Sequence, residues 1–122
     1  MKKILVVDDN HDILAVMKLF LESKGFDVFT ESNGRKTYDV VNQYQPDLII
    51  LDVFLGNSDG RDICNVLKKQ DDTKDIPIII FSANAKSEDV LSGCAADDFL
   101  TKPFELNELL SIVEHQLVSA GL

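Results

Sequence analysis

Apolar residues recur along this chain in two rhythms. Residues 4–7, 48–51 and 76–81 form runs that are close to continuously apolar and rich in Ile, Leu and Val. Continuous runs of about four to six such residues fit strands buried on both faces, as in a parallel sheet covered by helices. Two weaker runs, 27–30 and 98–101, fit shorter or edge strands. Pro77 lies near the start of its run, which a strand tolerates at the loss of one ladder donor.

Between these runs the apolar period lengthens. Ile13, Met17, Phe20 and Leu21 follow the spacing of one helix face, and Gly25 stops it. Tyr38, Val41 and Tyr44 mark a second helix after the turn residues Ser32-Asn33-Gly34, ended by Pro46. Ile63, Val66 and Leu67 mark a third, with Ser58 or Asp59 available as N-cap. Residues 87–94 form a short fourth candidate. Leu106, Leu109, Leu110, Val113 and Leu117 give the clearest stripe of all, with Gly121 beyond it.

A strand followed by a helix, repeated to the end of the chain, predicts parallel strands with right-handed crossovers in a doubly wound α/β sandwich. No linker, low-complexity run, charge block or internal repeat interrupts the order. The expectation is one domain over residues 1–122, with nothing left over for an output domain.

A chain of 122 residues with 45% hydrophobic and 27% charged residues can build a core without a disulfide or metal staple. Charge narrows the function. Twelve Lys and Arg against twenty-one Asp and Glu leave a net charge of −9, which argues against direct binding of nucleic acid or anionic lipid. It favours a partner surface of basic character instead. Cys64 and Cys94 stand thirty positions apart with no CxxC, so a disulfide scaffold and a zinc site are excluded, and two small buried side chains in a reducing compartment are expected. The apolar stretch after Met1-Lys2-Lys3 is too short for a signal peptide, and no run approaches a membrane span. A soluble, cytoplasmic protein is the expectation.

Open parallel sheets bind ligands at the carboxyl ends of their strands. Here those ends carry Asp8-Asp9, Asp52, Ser82 and Thr101-Lys102-Pro103. Singly, each has a plain reading. Asp8-Asp9-Asn10 could be a solvated turn that caps a helix, Asp52 a strand terminator, Ser82 a turn residue and Lys102-Pro103 a loop. Four such coincidences at strand ends on one sheet edge are a weaker account than one site. Clustered carboxylates repel unless a cation joins them, and carboxylate and carbonyl oxygens suit Mg²⁺. With the Lys102 ammonium and the Ser82 hydroxyl they form an inventory for stabilising a transferring phosphoryl group, with Asp as nucleophile.

The chain resembles the receiver domain of two-component response regulators. The matching stretches are Ile4-Leu5-Val6-Val7-Asp8-Asp9-Asn10, Pro46-Asp47-Leu48-Ile49-Ile50-Leu51-Asp52, Asp59-Gly60, Ile76-Pro77-Ile78-Ile79-Ile80-Phe81-Ser82-Ala83 and Asp97-Asp98-Phe99-Leu100-Thr101-Lys102-Pro103-Phe104. The resemblance implies a flavodoxin-like (βα)5 fold with strand order 2-1-3-4-5. It also implies that Asp52 accepts a phosphoryl group from a phosphohistidine of a sensor histidine kinase or histidine phosphotransfer protein. Asp8, Asp9, Asp52 and the Phe54 carbonyl would hold Mg²⁺, and Lys102 and Ser82 would contact the phosphoryl oxygens. Phe99 would follow Ser82 as an aromatic switch, and Lys102-Pro103 would be a cis peptide. The resemblance implies no classical enzyme, although the domain would catalyse its own phosphoryl transfer and a slow autodephosphorylation. A downstream protein would read the surface of the fourth helix, fifth strand and fifth helix.

Three features depart from the family pattern. The loop Val53-Phe54-Leu55-Gly56-Asn57-Ser58-Asp59-Gly60 has Leu55-Gly56 where Met-Pro is frequent, the stretch from Ser82 to Lys102 is about two residues short, and Phe54 and Asn84 occupy the positions flanking the hydrolytic water. Bulky Phe54, with an Asn84 that cannot act as a general base, predicts a long-lived phosphoryl group. The competing readings are a degenerate receiver that binds partners without phosphorylation, a flavodoxin-like cofactor protein and an aspartyl-phosphate hydrolase. The second lacks a phosphate loop, and the third needs Asp-x-Asp after the first strand, where this chain has adjacent Asp8-Asp9. His11 and His115 are expected to be solvated.

Overall fold

The three continuously apolar runs become the three inner strands of one sheet. In the computed structural model, which describes residues 1–56, 58–83 and 93–121, the strands are β1 (Lys3–Val7), β2 (Asp27–Glu31), β3 (Leu48–Asp52), β4 (Ile78–Ser82) and β5 (Asp98–Thr101). All pair in parallel, in the order β2-β1-β3-β4-β5. The described helices are α1 (His11–Ser23), α2 (Thr37–Tyr44), α3 (Gly60–Lys69) and a C-terminal helix (Leu106–Ser119), with a 3₁₀ turn at Gly34–Lys36.

Alternation along each strand divides the core into two layers. Ile4, Val6, Leu48, Ile50, Ile79 and Phe81 face one side, under Leu14, Met17 and Leu21 of α1 and Leu109, Val113 and Leu117 of the C-terminal helix. Leu5, Val7, Ile49, Leu51, Ile78 and Ile80 face the other, under Val41 of α2 and Ile63, Cys64 and Leu67 of α3. Inner strands covered on both faces have no solvent side, which is why their sequences are apolar without alternation. The outer strands are less covered, and Phe29 on β2 stays exposed.

Several expectations shift in detail. Pro77 lies outside β4 and contributes only its carbonyl, to Ile49 N at 3.0 Å, so the strand begins at Ile78 rather than 76. On α3 Cys64 is buried as expected but Val66 is exposed, and Cys94, also expected to be buried, is only half-buried. Asp59 rather than Ser58 caps that helix, accepting from Arg61 N at 2.9 Å. The second helix ends at Tyr44 through Gln45, whose φ of 52° starts the turn before Pro46 is reached. Leu106 on the C-terminal stripe is exposed, while Gln116 is buried. Of the expected fourth helix, 87–94, only residues 93 and 94 are among the described residues. No helix among the described residues is long and apolar enough to cross a membrane.

Candidate functional site

Because the strands are parallel and in register, their carboxyl ends meet on one edge. Val7 of β1 pairs with Leu51 of β3, which places Asp8 beside Asp52, and Asp52 in turn neighbours Phe81, one residue before Ser82. Ser82 pairs with Thr101, one residue before Lys102. Four residues far apart in sequence are thus brought together by register alone.

Asp8 is fully buried although it carries a carboxylate. Its Oδ1 accepts from Asn10 N at 2.9 Å, and its Oδ2 accepts from Lys102 Nζ at 3.0 Å. Asn10 also caps α1, accepting from Asp12 N and Ile13 N. The capping turn and the acidic site are therefore one structure, and Asp9 between them stays exposed. Carboxylate oxygens of Asp8, Asp9 and Asp52 lie within 4.8 Å of one another. An all-oxygen cluster of this kind, with one open side at Asp9, fits a hard divalent cation such as Mg²⁺.

Lys102 supplies the positive charge. Its Nζ stands 3.3 Å from Asp52 Oδ2 as well as 3.0 Å from Asp8 Oδ2, and 4.5 Å above the centre of the Phe81 ring. The Lys102–Pro103 peptide is cis, as expected, and the Lys102 amide donates to the Ser82 carbonyl at 2.9 Å. Burial, followed by the neighbouring Asp8 carboxylate, pushes Asp52 up to about 6, against the pull of Lys102 and of the Phe54 amide. One lysine does not neutralise two buried carboxylates, so a further cation is favoured beside Asp52.

The loop after Asp52 is shaped by close approach. Phe54 N donates to Asp52 Oδ1 at 3.4 Å, and the Phe54 side chain is 63% exposed. Leu55 N and Gly60 N donate back to Ser58 O and Val53 O, closing the turn onto α3. A Cβ at Gly60 would stand 1.9 Å from the Asp52 carbonyl oxygen, so only glycine lets α3 start this close to Asp52. Sequence reasoning missed this role, although Asp59-Gly60 at a helix start was its signal. Gly56 has a φ of 71°, and a Cβ there would face Asp9 Oδ2 at 3.9 Å.

Ser82 ends β4 and is 1% exposed. Phe99 does not join the acidic cluster: it pairs with Ile80 inside the sheet and packs on the α3 side of the core. Asn84 lies outside the described residues. His11 and His115 are both exposed.

The family model of the response regulator receiver domain matches residues 4–114. The chain is 38% identical over 115 residues, 93% of its length, to the DNA-binding dual master transcriptional regulator RpaA of Synechocystis sp., of which it covers 48%. It spans about half the length of the curated relatives it matches. Among solved structures, the signal receiver domain of a signal transduction histidine kinase from Syntrophus aciditrophicus superposes with a TM-score of 0.90 at 33% identity, covering 98% of this chain and 92% of that one. The receiver domain of the sensor histidine kinase PA1611 from Pseudomonas aeruginosa PAO1, solved with a magnesium ion in its active-site cleft, superposes with a TM-score of 0.86 at 28% identity, covering 95% of this chain and 97% of that one. With this fold, this strand order and a match over most of its length, the chain belongs to the response regulator receiver domain family.

Proposed function

We propose that this chain is the phosphoacceptor of a two-component or phosphorelay system, with Asp52 as the accepting residue. The observation that carries the reading is the placement of Lys102 Nζ within 3.3 Å of Asp52 and 3.0 Å of Asp8, with Asp9 in the same cluster. An Asp52 oxygen attacks phosphorus, the phosphorus–nitrogen bond of a donor phosphohistidine breaks, and its electron pair stays on the imidazole. Asp8, Asp9, Asp52 and the Phe54 carbonyl would hold Mg²⁺, which when bound neutralises charge on the transferring group. Lys102 pairs with one phosphoryl oxygen as a point charge, and the Ser82 hydroxyl contacts another.

The new charge close to −2 shifts the domain toward the conformer in which Ser82 and Lys102 make these contacts, and Phe99 follows Ser82 inward. The partners are then a sensor histidine kinase or histidine phosphotransfer protein upstream, and a protein downstream that reads β5, the C-terminal helix and the segment 87–94 expected from the sequence to be the fourth helix. Neither direct nucleic-acid binding nor membrane insertion belongs to this reading, given the net charge of −9. We place the reaction in the cytoplasm and read the domain as a switch with slow autodephosphorylation rather than a turnover enzyme.

Phosphoramidate, whose phosphorus–nitrogen bond mimics phosphohistidine, tests the site. Borohydride reduction after labelling converts an aspartyl phosphate to homoserine, and peptide mapping should place that conversion at Asp52. Conversion at another carboxylate, or none with Mg²⁺ present, overturns the assignment and leaves a receiver that acts through binding alone.

A further inference from the structure

On the α3 side of the sheet, two thiols from distant parts of the chain join one core cluster. Cys64 sits inside α3 with no exposure, and Cys94 lies in the segment leading into β5, half-buried. Both belong to the core cluster beneath α3, and each thiol lies within the electrostatic reach of the other. A dedicated contact holds them there. Asn65, next to Cys64, donates Nδ2 to Gly93 O at 2.9 Å and accepts from Ala95 N on Oδ1 at 3.1 Å. One amide side chain therefore grips the backbone on both sides of Cys94 and fixes it against α3. Gly93 permits the approach, since a Cβ there would lie 3.0 Å from Arg61 Cδ.

The two thiols are unequal. Burial, then the nearby Cys94 sulfur, pushes the Cys64 thiol up to about 12, so it is a poor nucleophile by itself. Cys94 is reached by solvent, and the Arg61 guanidinium lies within its electrostatic reach. A solvent-reached thiol backed by a buried thiol in the same core cluster is an arrangement in which the accessible cysteine reacts first and the second resolves.

We propose that Cys64 and Cys94 form a reversible intramolecular disulfide that clamps the segment before β5 onto α3. The oxidant is a low-molecular-weight disulfide. The Cys94 thiolate attacks one sulfur of glutathione disulfide, the sulfur–sulfur bond breaks, and one glutathione thiolate leaves. Cys64 then attacks the Cys94 sulfur of the mixed disulfide, its proton passes to the departing glutathione thiolate, and a second glutathione is released. Two protein thiols are oxidised and one glutathione disulfide is reduced, so the exchange balances with no other reagent. Neither cysteine belongs to the phosphoryl site, and the proposal stands apart from phosphorylation.

The full chain is equilibrated in glutathione redox buffers, quenched with acid, alkylated under denaturing conditions and weighed intact. The proposal expects a monomer lighter by two hydrogens, with both thiols protected together and restored by dithiothreitol. The oxidised form should melt about 10 °C higher, because the bond closes a loop of roughly thirty residues. Cys64→Ala should stop at one glutathione on Cys94, and Cys94→Ala should take none. Accumulation of the Cys94 adduct in the unsubstituted chain, cross-linking between chains, or both thiols remaining alkylatable would overturn it. Asp52→Asn should oxidise like the parent chain, which separates failure here from failure of the phosphoacceptor reading.

Discussion

The Lys102 ammonium stands 3.3 Å from Asp52 Oδ2, across fifty positions of sequence, and reaches Asp8 Oδ2 from the same point. Only 22% of the Lys102 side chain is exposed, against 1% for that of Asp8 and 7% for that of Asp52. Lys102→Met therefore leaves two adjacent carboxylates buried without their cation. In the absence of divalent metal at pH 7 this should cost about 2 kcal/mol, below the usual penalty for breaking a fully buried pair because solvent still reaches the lysine. Urea denaturation in EDTA measures it, and Mg²⁺ should return part of the loss.

Asp52 supplies a pH signature. Its carboxyl is raised to about 6 from an ordinary 3.8, so the folded state favours the protonated form. Below the ordinary value Asp52 is protonated whether folded or not, and it imposes no penalty. As pH rises from 3.8 to about 6, the unfolded chain ionises freely while the folded chain resists, and stability falls; above that window both are ionised and the penalty is constant. Asp52→Asn lacks this carboxyl. In EDTA its stability advantage over the parent should widen by about 2 kcal/mol between pH 4 and pH 7.5. A gap that stays constant across that range contradicts the assigned electrostatics.

Gly60 tests the geometry behind the acceptor. With the Asp52 carbonyl 1.9 Å from where a Cβ would stand, Gly60→Ala must displace either the start of α3 or the end of β3. The expected cost is about 3 kcal/mol in urea denaturation. Gly25→Ala, where nothing lies within 4 Å, is the control: it keeps only the strain of a φ of 92°.

Phe54 tests the proposed long lifetime of the phosphoryl group. Its side chain is 63% exposed and carries no group able to activate water. Phe54→Glu should shorten the half-life of phosphorylated protein by about tenfold, read by loss of the mass adduct with time. Equal half-lives would remove Phe54 from the account.

Most of this architecture was legible in the sequence because burial on both faces leaves a signature. Residues 4–7, 48–51 and 78–81 admit no polar side, so the inner strands declared themselves, and the strand ends located Asp8, Asp52, Ser82 and Lys102. Helix faces were harder to read. Val66 and Leu106 fit the apolar period yet face solvent, while Gln116 points inward, because neighbouring elements rather than spacing decide what is covered. Contacts over long separation were not legible either. Nothing in the sequence announces that Asn65 grips both sides of Cys94, or that α3 begins against the Asp52 carbonyl.

The central claim is that Asp52 accepts a phosphoryl group in a metal-dependent site. Intact mass after incubation with acetyl phosphate, with and without Mg²⁺ and beside Asp52→Asn, tests it most directly. A metal-dependent phosphoacceptor gives one added phosphoryl group on the parent chain with Mg²⁺, and none without Mg²⁺ or on Asp52→Asn. An unmodified parent chain, under conditions that label another receiver domain, or equal labelling of Asp52→Asn, would contradict it.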